Sequence, residues 1–244
     1  MRDIRVFTNQ PLAVDDEVLL EENSAHHLTT VLRLKTGAAI VLFNGTGGEY
    51  HAILSQATGK QARVLITGFT ETNRESPLYI SLGIGLSRGD RMDWVIQKAT
   101  EVGVAEITPL FTARSEVRLK GDRADKKIQH WRKIATNACE QCYRNIPPII
   151  NAPISPDLWS QSLSTDQNFV LHHRSNQTVG ELRTQSINCV GLLVGPEGGL
   201  TDSEITSSLQ SGFQALTIGP RILRTETAPI VAITLLQSLW GDFS

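Results

Sequence analysis

Two stretches near the carboxyl end of this 244-residue chain carry the residue types best suited to hold a small ligand. Residues 194–201 read VGPEGGLT, and residues 218–227 read IGPRILRTET. Each contains a Gly-Pro pair, in which glycine permits close backbone approach and proline stiffens the turn. Stiff loops can bind a ligand through backbone groups at little ordering cost. Because the carboxylate of Glu197 would repel a phosphate, the loops favour a ligand with positive charge, hydroxyl groups or amine groups.

A nucleotide- or NAD-binding enzyme is one alternative, and two motif tests disfavour it. The stretch GIGLSRG at residues 83–89 follows a predicted strand. Arg88, however, stands where the G-x-G-x-x-G fingerprint requires glycine. The stretch GPEGGLT also lacks the phosphate-binding lysine of a P-loop.

Metal binding and redox chemistry are disfavoured as well. The histidine pairs at 26–27 and 172–173 have no carboxylate or cysteine cluster beside them to complete a metal site. Adjacent residues of a strand also point to opposite faces, so neither pair closes easily on one ion. Cys139 and Cys142 form a C-x-x-C pair without the second pair that a zinc site needs, and three cysteines are too few for a disulfide framework. We therefore expect no metal.

The composition is that of an ordinary globular protein, with 40% apolar and 20% charged residues. A net charge of −2 argues against wholesale coating of nucleic acid but permits a local basic patch. Residues 112–133 form one, with eight Lys or Arg residues against three acids, although a solvated helix face is an equally simple explanation. The chain shows no membrane-length apolar run and no signal segment, so we expect a cytoplasmic protein.

The pattern of elements changes near residue 70 and predicts two domains. Short strand-like runs, an Asn-Gly hairpin signal at residues 44–50 and a short helix capped by Ser24 indicate a small β-barrel domain over residues 1–70. A polar linker, residues 71–77, follows. From 78 to 244 strands alternate with helices, which predicts an α/β domain with a mostly parallel sheet.

The candidate ligand loops fall where such a sheet binds ligands, beyond the carboxyl ends of its strands. Three predicted strands end in unusual residues: LHHR at 171–174, and the two Gly-Pro loops. A capping box of Thr201 and Glu204 predicts that a helix begins directly after the first Gly-Pro loop. The predicted sheet therefore brings three loops to one edge.

The residues of these loops resemble the signature of the 16S rRNA (uridine-N3)-methyltransferase family. LLVGPEGGLTDSEI at 192–205 and IGPRILRTETA at 218–228 carry the resemblance most specifically. Further similar stretches cover nearly the whole chain in the family's order: GDRMDWVIQKATEVGV at 89–104, RS at 114–115, CEQCYR at 139–144, HHLTTVLRLKTG at 26–37 and NGTGGEY at 44–50.

The resemblance implies a fold, a cofactor and a reaction. The family belongs to the SPOUT class, so the expected fold is a C-terminal α/β domain with a deep trefoil knot and a small N-terminal PUA-like β-barrel for RNA. The expected activity is S-adenosylmethionine-dependent methylation of uridine N3 in 16S rRNA of the small ribosomal subunit, by a homodimer. By likeness, the methyl donor is held by Leu171, His172, Gly195, Pro196, Glu197, Gly198, Gly199, Ile218, Gly219, Arg221 and Leu223.

Further roles follow from the chemistry of this reaction. Uridine N3 must lose a proton, so we expect Arg224 to stabilise the uridine anion or position the base, and Glu226 to orient Arg224 or take the proton. A favourable charge at a helix N-terminus is the alternative role of Glu226. Contacts to RNA phosphates are expected from Arg33, Lys35, Arg114, Arg118, Lys126 and Lys127.

Two residues depart from the family's pattern. Tyr143 stands where a small residue, often glycine, is usual, and we expect it to reshape a nearby RNA or dimer surface. Pro229 stands where alanine or threonine is usual, and should be harmless if Thr225 or Thr227 caps the last helix. A non-catalytic RNA-binding or ribosome-assembly factor of the same fold is the remaining alternative; it would show weakened cofactor loops, whereas these are complete.

Overall fold

The computed structural model describes residues 3–59, 61–117, 119–172, 175, 178–182 and 186–243. The chain divides into two compact units. Unit 1 comprises Met1–Glu75 and Cys139–Pro147, and unit 2 comprises Ser76–Ala138 and Pro148–Ser244. Residues 139–147 thus belong to unit 1, although the rest of that unit ends at residue 75. The boundaries 1–70, 71–77 and 78–244 stay a prediction.

Unit 1 is built on a five-stranded sheet of order β1-β3-β4-β5-β2. The strands are β1 (Arg5–Phe7), β2 (Glu17–Leu19), β3 (Ala39–Phe43), β4 (Glu49–Thr58) and β5 (Gln61–Thr70). Burial alternates along β4 and β5, as expected of strands with one face on a core. Among the described residues, no ladder joins the edge strands β1 and β2, so the sheet does not close into the expected barrel. Both edge strands are short, with three residues each.

The short helix of unit 1 differs in detail from the prediction. It begins earlier, as α1 (Glu22–His26), and continues as a wider π-type turn over His27–Val31. Ser24 lies inside α1 and does not cap it, because the cap position is Glu21. Ala25 and Leu28 are buried in the core of unit 1, so tertiary packing rather than a side-chain cap sets where this helix begins.

Unit 2 contains a six-stranded parallel sheet of order β11-β9-β10-β6-β7-β8. Its strands are β6 (Tyr79–Gly85), β7 (Glu106–Leu110), β8 (Ile149–Ile150), β9 (Gln167–Leu171), β10 (Cys189–Val194) and β11 (Gln214–Leu216). Its helices are α2 (Asp90–Glu101), α3 (Asp122–Cys142), which ends in unit 1, α4 (Pro156–Ser162), α5 (Asp202–Gln210) and α6 (Thr227–Trp240), with a 3₁₀ turn at Val179–Leu182.

Both faces of the unit 2 sheet are covered, as the alternation of strands and helices predicts. Leu192 and Leu193 are neighbours in β10, yet they are buried in different apolar clusters. Two helix starts match the prediction. Thr201 and Glu204 form the capping box of α5, and Pro229 occupies the first turn of α6. The cap position of α6 is Glu226 instead of a threonine.

The segment that follows β9 lies beside β11. The backbone N–H of His172 donates to the carbonyl of Leu216 (3.0 Å), and Ser175 Oγ donates to the carbonyl of Ala215 (2.6 Å). Part of the segment between β9 and β10, including His173 and Arg174, lies outside the described residues.

Tyr143 follows the last residue of α3 and has a left-handed backbone, with φ of 69°. Helices commonly end in this conformation, usually with glycine, because a Cβ atom makes it costly. The Tyr143 ring lies 5.0 Å from the guanidinium carbon of Arg5 and 5.6 Å from that of Arg74. Both arginines also pair with Glu49. The aromatic ring at a glycine-type position is therefore held by two cation–π contacts.

Substitution of Tyr143 should separate backbone strain from ring packing. We expect Tyr143→Phe to keep wild-type stability, because both cation–π contacts need only the ring. Tyr143→Ala keeps the strain and loses the ring, so it should be the least stable variant. Tyr143→Gly also loses the ring but relieves the strain, so its free energy of unfolding in urea should exceed that of Tyr143→Ala by about 1 kcal/mol. Equal stability of the alanine and phenylalanine variants would contradict a role for the ring.

Candidate functional site

A cleft of about 480 Å³ opens beyond the carboxyl ends of β9, β10 and β11. We call it the glycine cleft. Its walls include all eleven residues predicted to hold a methyl donor: Leu171, His172, Gly195, Pro196, Glu197, Gly198, Gly199, Ile218, Gly219, Arg221 and Leu223. Sequence analysis missed other residues of its lining, among them Thr217, Ile222 and Thr225. The three strand-end loops therefore surround one cavity.

The loop after β10 is packed too tightly to accept a side chain at Gly195, and its Pro196 leaves no room for one at Gly85. A Cβ atom on Gly195 would lie 2.8 Å from the backbone nitrogen of Leu200. One on Gly85, at the end of β6, would lie 2.5 Å from Cδ of Pro196. The turn is closed by a hydrogen bond from the Gly199 N–H to the Pro196 carbonyl (2.8 Å). These contacts restrain the backbone of the loop.

The carboxylate of Glu197 is bound by the start of α2. It accepts hydrogen bonds from the guanidinium of Arg91 (2.8 Å) and from the backbone N–H of Arg88 (3.2 Å). Partial burial would raise the pKa of Glu197, but hydrogen bonds from its own backbone, from Arg91 and from the Arg88 backbone outweigh burial, so this pKa is lowered. Glu197 thus links the loop after β10 to α2, and its charge is balanced within the protein.

Arg114 holds the same loop from the side of β7. Its guanidinium donates to the carbonyls of Gly198 (2.7 Å) and Leu200 (3.2 Å). The backbone N–H of the neighbouring Ala113 donates to Glu204 of the α5 capping box (2.8 Å). Arg114 was predicted to contact RNA phosphates; its position shows a structural task as well, and the RNA contact stays a prediction.

The two predicted catalytic residues flank the glycine cleft without lining it. Their neighbours Leu223 and Thr225 do line it. The Arg224 side chain is 85% exposed, and its guanidinium lies 4.0 Å from the carboxylate of Glu226. The carbonyl of Arg224 accepts hydrogen bonds from the first turn of α6, which fixes its backbone. Arg224 thus presents a solvent-accessible cation next to the cleft from an ordered turn.

The residues predicted to contact RNA are divided between the two units. Arg33 and Lys35 are exposed in unit 1, and Lys126 is exposed on α3. Arg118 lies outside the described residues. Their RNA contacts stay predictions.

Lys127, the last of this predicted set, is bound to Asp93 of α2 at 2.9 Å. His130 and Trp131 bond to the same carboxylate, at 2.6 and 2.9 Å. Partial burial would raise the pKa of Asp93, but the hydrogen bonds from His130, Lys127 and Trp131 outweigh it and lower this pKa. Lys127 therefore helps to join α3 to α2.

A second cleft, of about 780 Å³, adjoins the glycine cleft, and sequence analysis missed it. We call it the arginine cleft. It is lined by Arg88, Gly89, Asp90, Arg91, Ala113, Arg114, Ser115, Glu116, Glu197 and Gly198. The two clefts share Arg114, Glu197 and Gly198. The signal in the sequence was the pair Arg88 and Arg91 directly after a predicted strand. Arg88 was considered only as the residue that breaks a dinucleotide motif, and Arg91 only within a stretch similar to the family.

Other kinds of site find little support. In the described part of the chain, no group of three or more His, Cys, Asp or Glu side chains is arranged to hold a metal ion. Burial raises the pKa of Cys139 to about 12, which keeps its thiol protonated and disfavours metal binding or redox chemistry. None of the described helices combines the length and apolarity needed to cross a membrane.

Comparison with known proteins shows similarity to RNA methyltransferases. Residues 74–237 match the family model of the RNA methyltransferase domain, and residues 20–67 match that of the RNA methyltransferase PUA domain. The Buchnera aphidicola (Acyrthosiphon pisum) protein "Ribosomal RNA small subunit methyltransferase E" is 36% identical over 98% of this chain and 94% of its own length.

Two solved structures are similar over the full length. A Neisseria gonorrhoeae ribosomal RNA small subunit methyltransferase E bound to S-adenosyl methionine has 37% identity and a TM-score of 0.93, with 100% of both chains covered. A Legionella pneumophila methyltransferase, solved with bound SAM, has 38% identity and a TM-score of 0.96, and covers 99% of this chain and 100% of its own.

The Glu197 anchor predicts a local loss of rigidity when it is removed. In Glu197→Leu the Arg88 amide loses its acceptor, so its hydrogen exchange should accelerate about tenfold or more, because a hydrogen bond to a charged group contributes on the order of 1.5 kcal/mol. Because folding lowers the pKa of Glu197, its contribution is complete above the ordinary carboxyl pKa and is lost as pH falls through the lowered value.

The matched control is Glu116→Leu. Glu116 pairs with the Arg88 side chain (2.5 Å), whereas the Arg88 amide donates to Glu197, so this variant should leave amide exchange unchanged. Equal acceleration in both variants, measured by amide exchange above pH 6, would show that Glu197 has no specific anchoring role.

Proposed function

This chain belongs to the ribosomal RNA small subunit methyltransferase E family, and we propose that it transfers a methyl group from S-adenosylmethionine to N3 of a uridine in 16S rRNA. Its fold class is the predicted one, a SPOUT methyltransferase domain with a PUA-like N-terminal domain. The observation that carries this function is the glycine cleft, formed by the family's signature loops in a chain similar over its full length to proteins solved with this donor.

The residues around the glycine cleft fit a sulfonium nucleoside. Apolar side chains of Leu171, Ile218 and Leu223 supply surfaces for a flat ring, while the stiff glycine loops offer backbone groups for its polar edge. Glu197 is the acidic residue of the loop after β10, and its charge is already balanced by Arg91. When bound there, S-adenosylmethionine supplies a methyl group activated by a positively charged sulfur.

The protein's own task is to make uridine N3 nucleophilic, since N3 of the neutral base carries a proton. Arg224 is the candidate for stabilising the negative charge that develops on O2 or O4 when that proton leaves. Glu226, 4.0 Å from Arg224, is the candidate for orienting this arginine or accepting the proton. Its position at the start of α6 also suits an acidic residue for electrostatic reasons alone.

Partners beyond the RNA strand are part of the proposal. A specific position in 16S rRNA implies action on the small ribosomal subunit or its precursor, in the cytoplasm. A homodimer through α6 is supported by the apolar residues Ile230, Leu235 and Leu239, which are only partly buried within this chain.

Ligand-dependent melting tests donor binding. S-adenosylmethionine and S-adenosylhomocysteine should each raise the melting temperature, whereas NAD and ATP should not. A ligand that binds only the folded state stabilises that state by an amount that grows with its affinity. Methylation of 16S rRNA as naked RNA and as assembled small subunits, with the product mapped by mass spectrometry, then tests the acceptor. Stabilisation by NAD or ATP alone, or a methyl group on another atom than uridine N3, would contradict the assignment.

Substitution of Arg224 tests the proposed chemistry. Arg224→Ala should retain donor affinity within a few-fold while turnover falls about 100-fold or more, as is typical when a donor to a developing oxyanion is removed. Arg221→Ala is the comparison from the same loop: Arg221 lines the glycine cleft, so its loss should weaken donor binding instead. Unchanged turnover in Arg224→Ala would remove Arg224 from the mechanism.

A further inference from the structure

We propose that the arginine cleft binds the single-stranded RNA segment that carries the target uridine, with Arg88 contacting a phosphate of that segment. The inference rests on the proposed function, since it assigns the acceptor side of the same reaction. It concerns Arg88 and Arg91, neither of which was among the residues predicted to bind RNA.

The position of the arginine cleft suits an acceptor. It opens beyond the carboxyl ends of β6 and β7, next to the glycine cleft, and the loop at Glu197 and Gly198 forms a wall of both. Methyl transfer requires the acceptor atom within about 3–3.5 Å of the methyl group, so an acceptor site must adjoin the donor site. A cleft that shares a wall with the glycine cleft meets this requirement.

The size of the arginine cleft suits a nucleotide with its flanking phosphates. Its volume of about 780 Å³ lies within the range of small-molecule sites and exceeds that of the glycine cleft. The target base must leave any stack to be methylated at N3, so the bound segment is single-stranded where it enters.

The arginine cleft contains two ion pairs, which differ in how readily a ligand can replace one partner. Glu197 is held by Arg91 and by a backbone N–H, so this pair belongs to the wall. The Arg88–Glu116 pair is different: its side chains are 67% and 61% exposed, and exposed pairs contribute little to stability. Arg88 can therefore exchange the Glu116 carboxylate for an RNA phosphate, which it can bind through two parallel N–H groups.

The test compares RNA affinity in variants of the full chain, using fluorescence anisotropy with a short uridine-containing single-stranded RNA. Arg88→Met, which keeps an unbranched apolar side chain, should weaken binding about tenfold. It should also reduce the slope of log affinity against log salt by about 0.7, the value for one phosphate contact on a single strand. Glu116→Gln should strengthen binding several-fold, because it frees Arg88 from its competitor. Affinity for S-adenosylmethionine should stay within twofold in both variants.

A matched control excludes a general effect of net charge. Asp242→Asn makes the same acid-to-amide change as Glu116→Gln at an exposed residue that lines neither cleft, and it should leave RNA affinity unchanged. Weaker binding in Glu116→Gln, or equal gains in it and in Asp242→Asn, would overturn the proposal. An RNA affinity of Arg88→Met equal to that of the wild-type protein would also overturn the proposal, even if the wild-type protein methylates 16S rRNA. Absence of methylation by the wild type would instead overturn the proposed function.

Discussion

The close packing of the loop after β10 is the constraint on which the rest of the site depends. Gly195 and Gly85 lie so near their neighbours that a single Cβ atom on either would meet the backbone of Leu200 or the ring of Pro196. The path of the chain between β10 and α5 therefore requires glycine at these two positions. Because this loop forms part of the wall of the glycine cleft, close packing and hydrogen bonds together fix the shape of that wall.

Residues that follow the neighbouring strands β6 and β7 hold this loop in place. Arg91 and the Arg88 backbone bind the carboxylate of Glu197, and Arg114 binds the carbonyls of Gly198 and Leu200. The same arginines line the second cleft. A ligand that moved these arginines would thus act on the wall of the glycine cleft, and thermodynamic linkage would make the effect mutual. The architecture gives donor and acceptor a common element through which their binding can be coupled.

Much of this arrangement could be predicted from local sequence. The two Gly-Pro loops, the alternation of strands and helices, the capping box at Thr201 and the first-turn position of Pro229 all depend on a few neighbouring residues. The resemblance of the two loops to a known family added the cofactor and the reaction. Local sequence was less informative in unit 1, where packing placed the start of α1 before Ser24 and where, among the described residues, β1 and β2 do not pair to close the sheet.

The sequence by itself determined which segments are stiff, which are strands or helices, and which loops have ligand-binding character, because backbone freedom and hydrophobic periodicity are properties of adjacent residues. Only the tertiary structure decided that Arg88 meets Glu197, 109 positions later, and that residues 139–147 join unit 1. It likewise decided that Gly85 makes room for Pro196. Such pairs depend on strand order in the sheet, which places β10 beside β6 although most of unit 2 separates them along the chain.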